Sequence, residues 1–201
     1  MANQPLLSAK EKRQRIKQLL AKKRRAKHQE NVFQLSFSQQ RLWFLDQLVN
    51  NPAAYNIASA ATLSGALDVD RLHQSLIKLA DRQSLLRSRF IQPEGQARQV
   101  IDVDIEVSLP CTDLSAEEPS RQPSLLQQSM DHVAQTPFDL QVGPCWSVSL
   151  FKLAAEEWVL LLTMHHIISD GWSVRVFFDE LSAFYQHDKP NLPDLSVNYP
   201  D

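Results

Sequence analysis

Glycine is scarce, four in 201 residues, and no Gly-rich loop able to cradle a phosphate can be assembled from so few. Two cysteines, Cys111 and Cys145, are too few for a disulfide framework, which points to a reducing, cytoplasmic setting. No apolar run reaches the ~20 residues of a membrane-spanning helix, and no signal-peptide core opens the chain. Repeats and low-complexity tracts are lacking as well, which excludes solenoids and fibrous arrays. No third ligand stands at zinc-type spacing from any histidine pair, so no metal centre is expected. What remains is ordinary globular composition. With 43% hydrophobic residues the chain can bury a sizeable core as one domain, or as one lobe of a larger one.

Charge is distributed unevenly. Residues 1–27 carry ten Lys/Arg and one Glu, a balance of +9, whereas the remaining 174 residues balance to −11. Within the basic segment Ser8-Ala9-Lys10-Glu11 fits a capping box, and Ile16, Leu19 and Leu20 form a narrow apolar stripe. Such a helix suits a nucleic acid, an anionic membrane surface or an acidic partner. No aromatic residue interleaves the basic ones for base stacking. A solvated or docking helix over residues 1–30 is therefore the reading, with no nucleic acid and no membrane as partner.

The most informative stretch is Met164-His165-His166-Ile167-Ile168-Ser169-Asp170-Gly171-Trp172-Ser173. Trp158 to Met164 leads into it with the composition of a buried strand. Val174, Phe177, Phe178, Leu181, Phe184 and Tyr185 follow at helical spacing. Two histidines and an aspartate thus sit between rigid elements that can aim them. Adjacent residues at a strand end point to opposite sides, so one histidine should face the interior and the other an open cleft. Asp170, just before the helix, is also placed to cap it.

Other segments read more plainly. Ser36 to Asp46 suits a short helix packing one face on the core. Ile57 to Leu63 is a strand closed by Ser64-Gly65, and Asp68 can cap a helix whose stripe is Leu72, Leu76, Leu79 and Ala80. Pro93-Glu94-Gly95-Gln96 turns a hairpin. Pro119 to Gln135 reads as a helix with Leu125, Leu126, Met130 and Val133 inward, and Cys145 reads as a small core residue.

H-H-x-x-x-D-G after an apolar strand resembles the active-site motif of nonribosomal peptide synthetase condensation domains, in the chloramphenicol-acetyltransferase-like superfamily. Ser36-Phe37-Ser38-Gln39-Gln40-Arg41-Leu42-Trp43-Phe44-Leu45 is similar to the first signature of that family, S-x-A-Q-x-R-L-W-x-L, with Ser38 for Ala. Arg82-Gln83-Ser84-Leu85-Leu86-Arg87-Ser88-Arg89-Phe90 is similar to the second, R-H-E-x-L-R-T-x-F. Gln83 and Ser84 stand there for His and Glu, a departure expected to weaken a local polar network. Pro137-Phe138-Asp139-Leu140 matches a recurrent linker, and Tyr199-Pro200-Asp201 resembles the start of a further signature.

The resemblance implies a mixed αβ sandwich of the α+β class. Residues 33–201 would form the N-terminal lobe of a two-lobe fold, preceded by the basic helix and lacking its C-terminal lobe. It implies an acyltransferase that joins a carrier-bound acyl or peptidyl thioester to the amine of a carrier-bound aminoacyl thioester. The partners are carrier proteins and adjoining synthetase domains; the lobe itself binds no cofactor, the substrates riding on 4'-phosphopantetheine. His166 is implied as the reacting imidazole, by proton acceptance or by positioning the amine, with His165 on the supporting side. Gly171 would let the pantetheine arm approach the loop backbone. Asp170 is implied to pair with an arginine of the second signature, Arg87 first and Arg82 second. Two rivals stand beside this: a lone, non-catalytic lobe or gene remnant that at most binds carrier protein, and a stand-alone acyltransferase using coenzyme A.

Overall fold

The computed structural model describes residues 31–48 and 53–193; the leader helix of residues 1–30 and the signature at Tyr199-Pro200-Asp201 lie outside them. The chain divides into units of residues 1–32 and 33–201. The second begins within β1 (Val32–Gln34) and continues through α1 (Phe37–Leu48), β2 (Asn56–Ser64), α2 (Val69–Arg82), a 3-10 turn (Ser84–Arg87) and β3 (Ser88–Ile91). β4 (Arg98–Ile101), β5 (Cys111–Asp113), α3 (Gln122–Ala134), β6 (Trp146–Ala154), β7 (Glu157–His165) and α4 (Gly171–Gln186) complete it.

Two sheets result. The larger has the order β2-β7-β6-β5, and the smaller β1-β4-β3. β7 is central in the larger, antiparallel to β2 on one side and to β6 on the other. Its residues from Trp158 to His165 are all buried, which explains an unbroken apolar run where a half-exposed strand would alternate. Period two still operates inside that run. Trp158, Leu160, Leu162 and Met164 join the main core with Leu72, Leu76 and Leu79 of α2 and Phe177 and Leu181 of α4. Val159 and Leu161 join a second cluster with Phe151, against Leu125, Leu126, Met130 and Val133 of α3. The larger sheet is therefore a layer between helices, an α+β sandwich.

Caps set the helix starts that matter here. Asp68 accepts from the Arg71 amide at 2.9 Å and opens α2. At α1, Ser36 Oγ accepts from the Gln39 amide at 3.2 Å while Gln39 Oε1 accepts from the Ser36 amide at 3.0 Å, a reciprocal capping box. α3 begins three residues later than Pro119 suggested, because residues 119–121 form a turn and Pro123 sits in the first helical turn, where its missing amide costs nothing. β3 and β4 pair as the expected hairpin. Among the described residues no helix is long and apolar enough to cross a membrane.

Candidate active site

β7 ends on His165, and the loop to α4 is pinned from beneath by Ile167 and Ile168, both in the main core. With alternate side chains committed inward, the two histidines separate. His165 is fully buried and His166 is exposed. His166 lines an open cavity of about 330 Å³ with Ser38, Gln39, Leu42, Leu85 and Ser169.

Each ring has a defined proton. His166 Nδ1 lies 2.6 Å from the Ser169 carbonyl oxygen. A carbonyl only accepts, so Nδ1 carries a hydrogen, and in the neutral ring Nε2 keeps its lone pair. In His165, Nδ1 accepts from the Ile167 amide at 3.1 Å, which leaves the hydrogen on Nε2. Burial, and secondarily the neighbouring His166, push the His165 pKa down to about 4; this imidazole stays neutral. Its Nδ1 is spent on the loop backbone.

Asp170 is exposed and is the N-cap of α4. Its Oδ1 accepts from both the amide and the hydroxyl of Ser173 at 2.8 Å. Those bonds, the amide foremost, hold its carboxyl below the ordinary carboxylate range. The expected pairing with an arginine is corrected by the structure. Arg87 spends its guanidinium on the carbonyls of Ala80, Asp81 and Asp102, where it closes the end of α2. Arg82 instead meets Glu180 at 3.0 Å, and Glu180 also accepts from Gln83 at 2.7 Å. Gln83, expected to weaken a network, is a member of one that ties α2 to α4. The capping role gives a discriminating expectation. Asp170→Ala should lower stability by about 1 kcal/mol. Asp170→Asn, an equally good cap, should melt close to wild type, whereas a charge pair would make it the costly change.

Gly171 has no positive φ, and a Cβ there would meet nothing within 4 Å. The backbone does not demand glycine; what glycine leaves is unobstructed space beside the loop. Cys145 is excluded as a nucleophile, since burial pushes its thiol up to about 12. Among the described residues no cluster of His, Cys, Asp or Glu is arranged to hold a metal ion.

His165, His166, Asp170 and Gly171 therefore share one loop, and Arg82 and Arg87 stand apart from it. Sequence reasoning overlooked Gln39 and Asp46, both on α1. Gln39 donates to the Ile167 carbonyl at 3.4 Å, and Asp46 Oδ1 lies 3.9 Å from His165 Nε2. A signal for Gln39 was available in Ser36-x-x-Gln39, a capping-box spacing. Asp46 had none, because a helical aspartate facing inward looks the same in sequence as one facing out.

Fold and loop together define a lobe of the chloramphenicol-acetyltransferase-like class. The chain belongs to the condensation-domain family, whose model matches residues 29–201. It is 44% identical over 172 residues to one of the subunits of linear gramicidin synthase from Brevibacillus parabrevis, covering 83% of this chain and 2% of that one. Among solved structures, the starter condensation domain of rhizomide synthetase matches with a TM-score of 0.75 at 26% identity, over 81% of this chain and 40% of the other. The first condensation domain of the calcium-dependent antibiotic synthetase, in complex with a substrate analogue, matches with a TM-score of 0.73 at 28% identity, over 82% and 40%. The chain thus spans about 40% of the solved domains that it matches.

Proposed function

We propose that these residues form the histidine-bearing lobe of a nonribosomal peptide synthetase condensation domain that makes amide bonds between two carrier-bound thioester substrates. The observation that carries the reading is the exposed His166, its Nδ1 proton fixed on Ser169 and its Nε2 lone pair free at an open cavity. Family membership and the resemblance to gramicidin synthase supply the substrate class.

In this reading the acceptor amine donates a hydrogen bond to His166 Nε2 and attacks the donor thioester carbonyl. The new C–N bond forms as the amine proton passes to Nε2. The tetrahedral species then expels the thiolate, the C–S bond breaks, and the proton returns to sulfur. An α-amino group with a pKa of roughly 8 is already partly neutral near pH 7, so holding the amine in line accounts for much of the rate. The open approach at Gly171 fits a pantetheine arm, which would present the thioester there. Carrier proteins and a second lobe are the partners, and residues 1–30 are a leader that docks to a neighbouring domain.

The test is a condensation domain containing residues 29–201, incubated with a donor and an acceptor each loaded on a carrier protein. Amide product by mass spectrometry is expected. Donor hydrolysis without any amide would overturn the reading.

A further inference from the structure

Two buried polar atoms face each other with nothing between them that pairs with either. His165 Nε2 is fully enclosed and has no hydrogen-bond partner, and the same holds for Asp46 Oδ1, 3.9 Å away. They are complementary. The Ile167 amide occupies His165 Nδ1, so Nε2 carries a hydrogen and is a donor; a carboxyl Oδ1 accepts. The other oxygen of Asp46 accepts from Gln47 Nε2 at 3.3 Å, which leaves Oδ1 turned toward the histidine.

We propose that Asp46 is a positioning residue for the histidine loop: its Oδ1 accepts the Nε2 hydrogen of His165 and so fixes the ring that holds the backbone beside His166. Closing the gap to bonding distance takes a movement of about 1 Å, too small a space for a bridging water. Leaving both atoms unpaired in the interior forfeits the desolvation of each, so closure is the lower state. Hydrogen bonds of this kind are often long in the substrate-free protein.

The consequence runs along one helix face. Gln39, Trp43 and Asp46 recur at i, i+4 and i+7 on α1. Gln39 is buried and grips the Ile167 carbonyl, while its neighbour Gln99 donates to Ser88 at 2.7 Å. Asp46 grips the His165 ring, which grips the Ile167 amide. Both backbone polar groups of Ile167, the residue after His166, are thereby referred to α1, which explains why a segment so far from the loop in sequence bears on its chemistry. The Tyr55 ring, 6.2 Å from His165 between centroids and inclined to it by 61°, packs against another side of the imidazole.

This builds on the role given to His166, yet its test needs no substrate, so either can fail alone. The chain labelled with 15N-histidine is compared with Asp46→Asn and Asp46→Ala in long-range proton–nitrogen spectra. Wild type should show His165 protonated on Nε2, with that proton protected from water, and His166 protonated on Nδ1. Asp46→Asn, which keeps an acceptor oxygen, should retain all three. Asp46→Ala should exchange the His165 proton about tenfold faster or more, with His166 averaging between its two tautomers, a change that lost packing alone would not produce. A wild-type His165 protonated on Nδ1 overturns the proposal even if the alanine variant does not fold. An alanine variant whose two histidines match wild type overturns it as well.

Discussion

Replacing His166 with alanine, in a condensation domain containing these residues, is expected to slow amide formation by about 10²- to 10⁴-fold, the usual contribution of a placed acid–base group. Folding should survive. His166 is exposed, and the bond it gives up, from Nδ1 to the Ser169 carbonyl, is a single neutral one worth about 1 kcal/mol. The loop keeps its anchors in Ile167, Ile168 and His165, and α4 keeps its Asp170 cap. The informative pair of measurements is therefore a single-turnover rate with preloaded carriers and a melting curve on the same preparation. A rate within a fewfold of wild type would remove His166 from the chemistry. A large drop in melting temperature would mean that the ring serves the fold instead.

The second large effect is on stability and falls on the neighbouring residue. A free histidine takes up its proton near pH 6.5, whereas His165 in the fold resists until about pH 4. Between those values the unfolded chain binds a proton that the folded chain refuses, so acid favours unfolding. The stability carried by the neutral ring is present in full above about pH 6.5 and is lost as pH falls toward 4. At 1.36 kcal/mol per unit the loss is on the order of 3 kcal/mol, less the part that the nearby Asp46 carboxylate offsets by favouring the charged ring. Urea unfolding at pH 7 and at pH 4 should show it as a steeper acid loss in wild type than in His165→Gln, which has no proton to gain. Equal acid sensitivity of the two proteins would contradict the buried neutral imidazole, as would direct titration of His165 near pH 6.5 by NMR.

How much of this was legible beforehand depended on the kind of signal. The strand Trp158 to Met164, the helix after it, the caps at Asp68 and Asp170 and the opposed histidines were readable because each rests on local periodicity or a short-range bond. β5 was not. It is three exposed residues without alternation, joined to β6 by parallel pairing and by the Asp113–Lys152 ion pair. The partners of Asp170, Arg82 and Arg87 were also out of reach, because a charge in a sequence shows no direction and backbone carbonyls compete for guanidinium as well as carboxylates do. The resemblance to the second signature supplied a partner for Asp170 that the geometry gives to Ser173. Gln39 and Asp46 show the same limit from the other side, polar residues whose burial depends on a helix orientation fixed only in three dimensions.

The pairing of β2 with β7, in which Asn56 lies opposite His165, joins strands roughly a hundred residues apart. During synthesis β2 leaves the ribosome long before its partner exists, and no hairpin can form to protect it in the meantime. The chain closure it awaits is entropically slow. Assembly of the histidine loop is thus a late event that reports completion of the whole lobe: a nascent chain stopped short of β7 has neither the loop nor a covered β2 edge, and that edge is where chaperone binding or aggregation of stalled chains should concentrate.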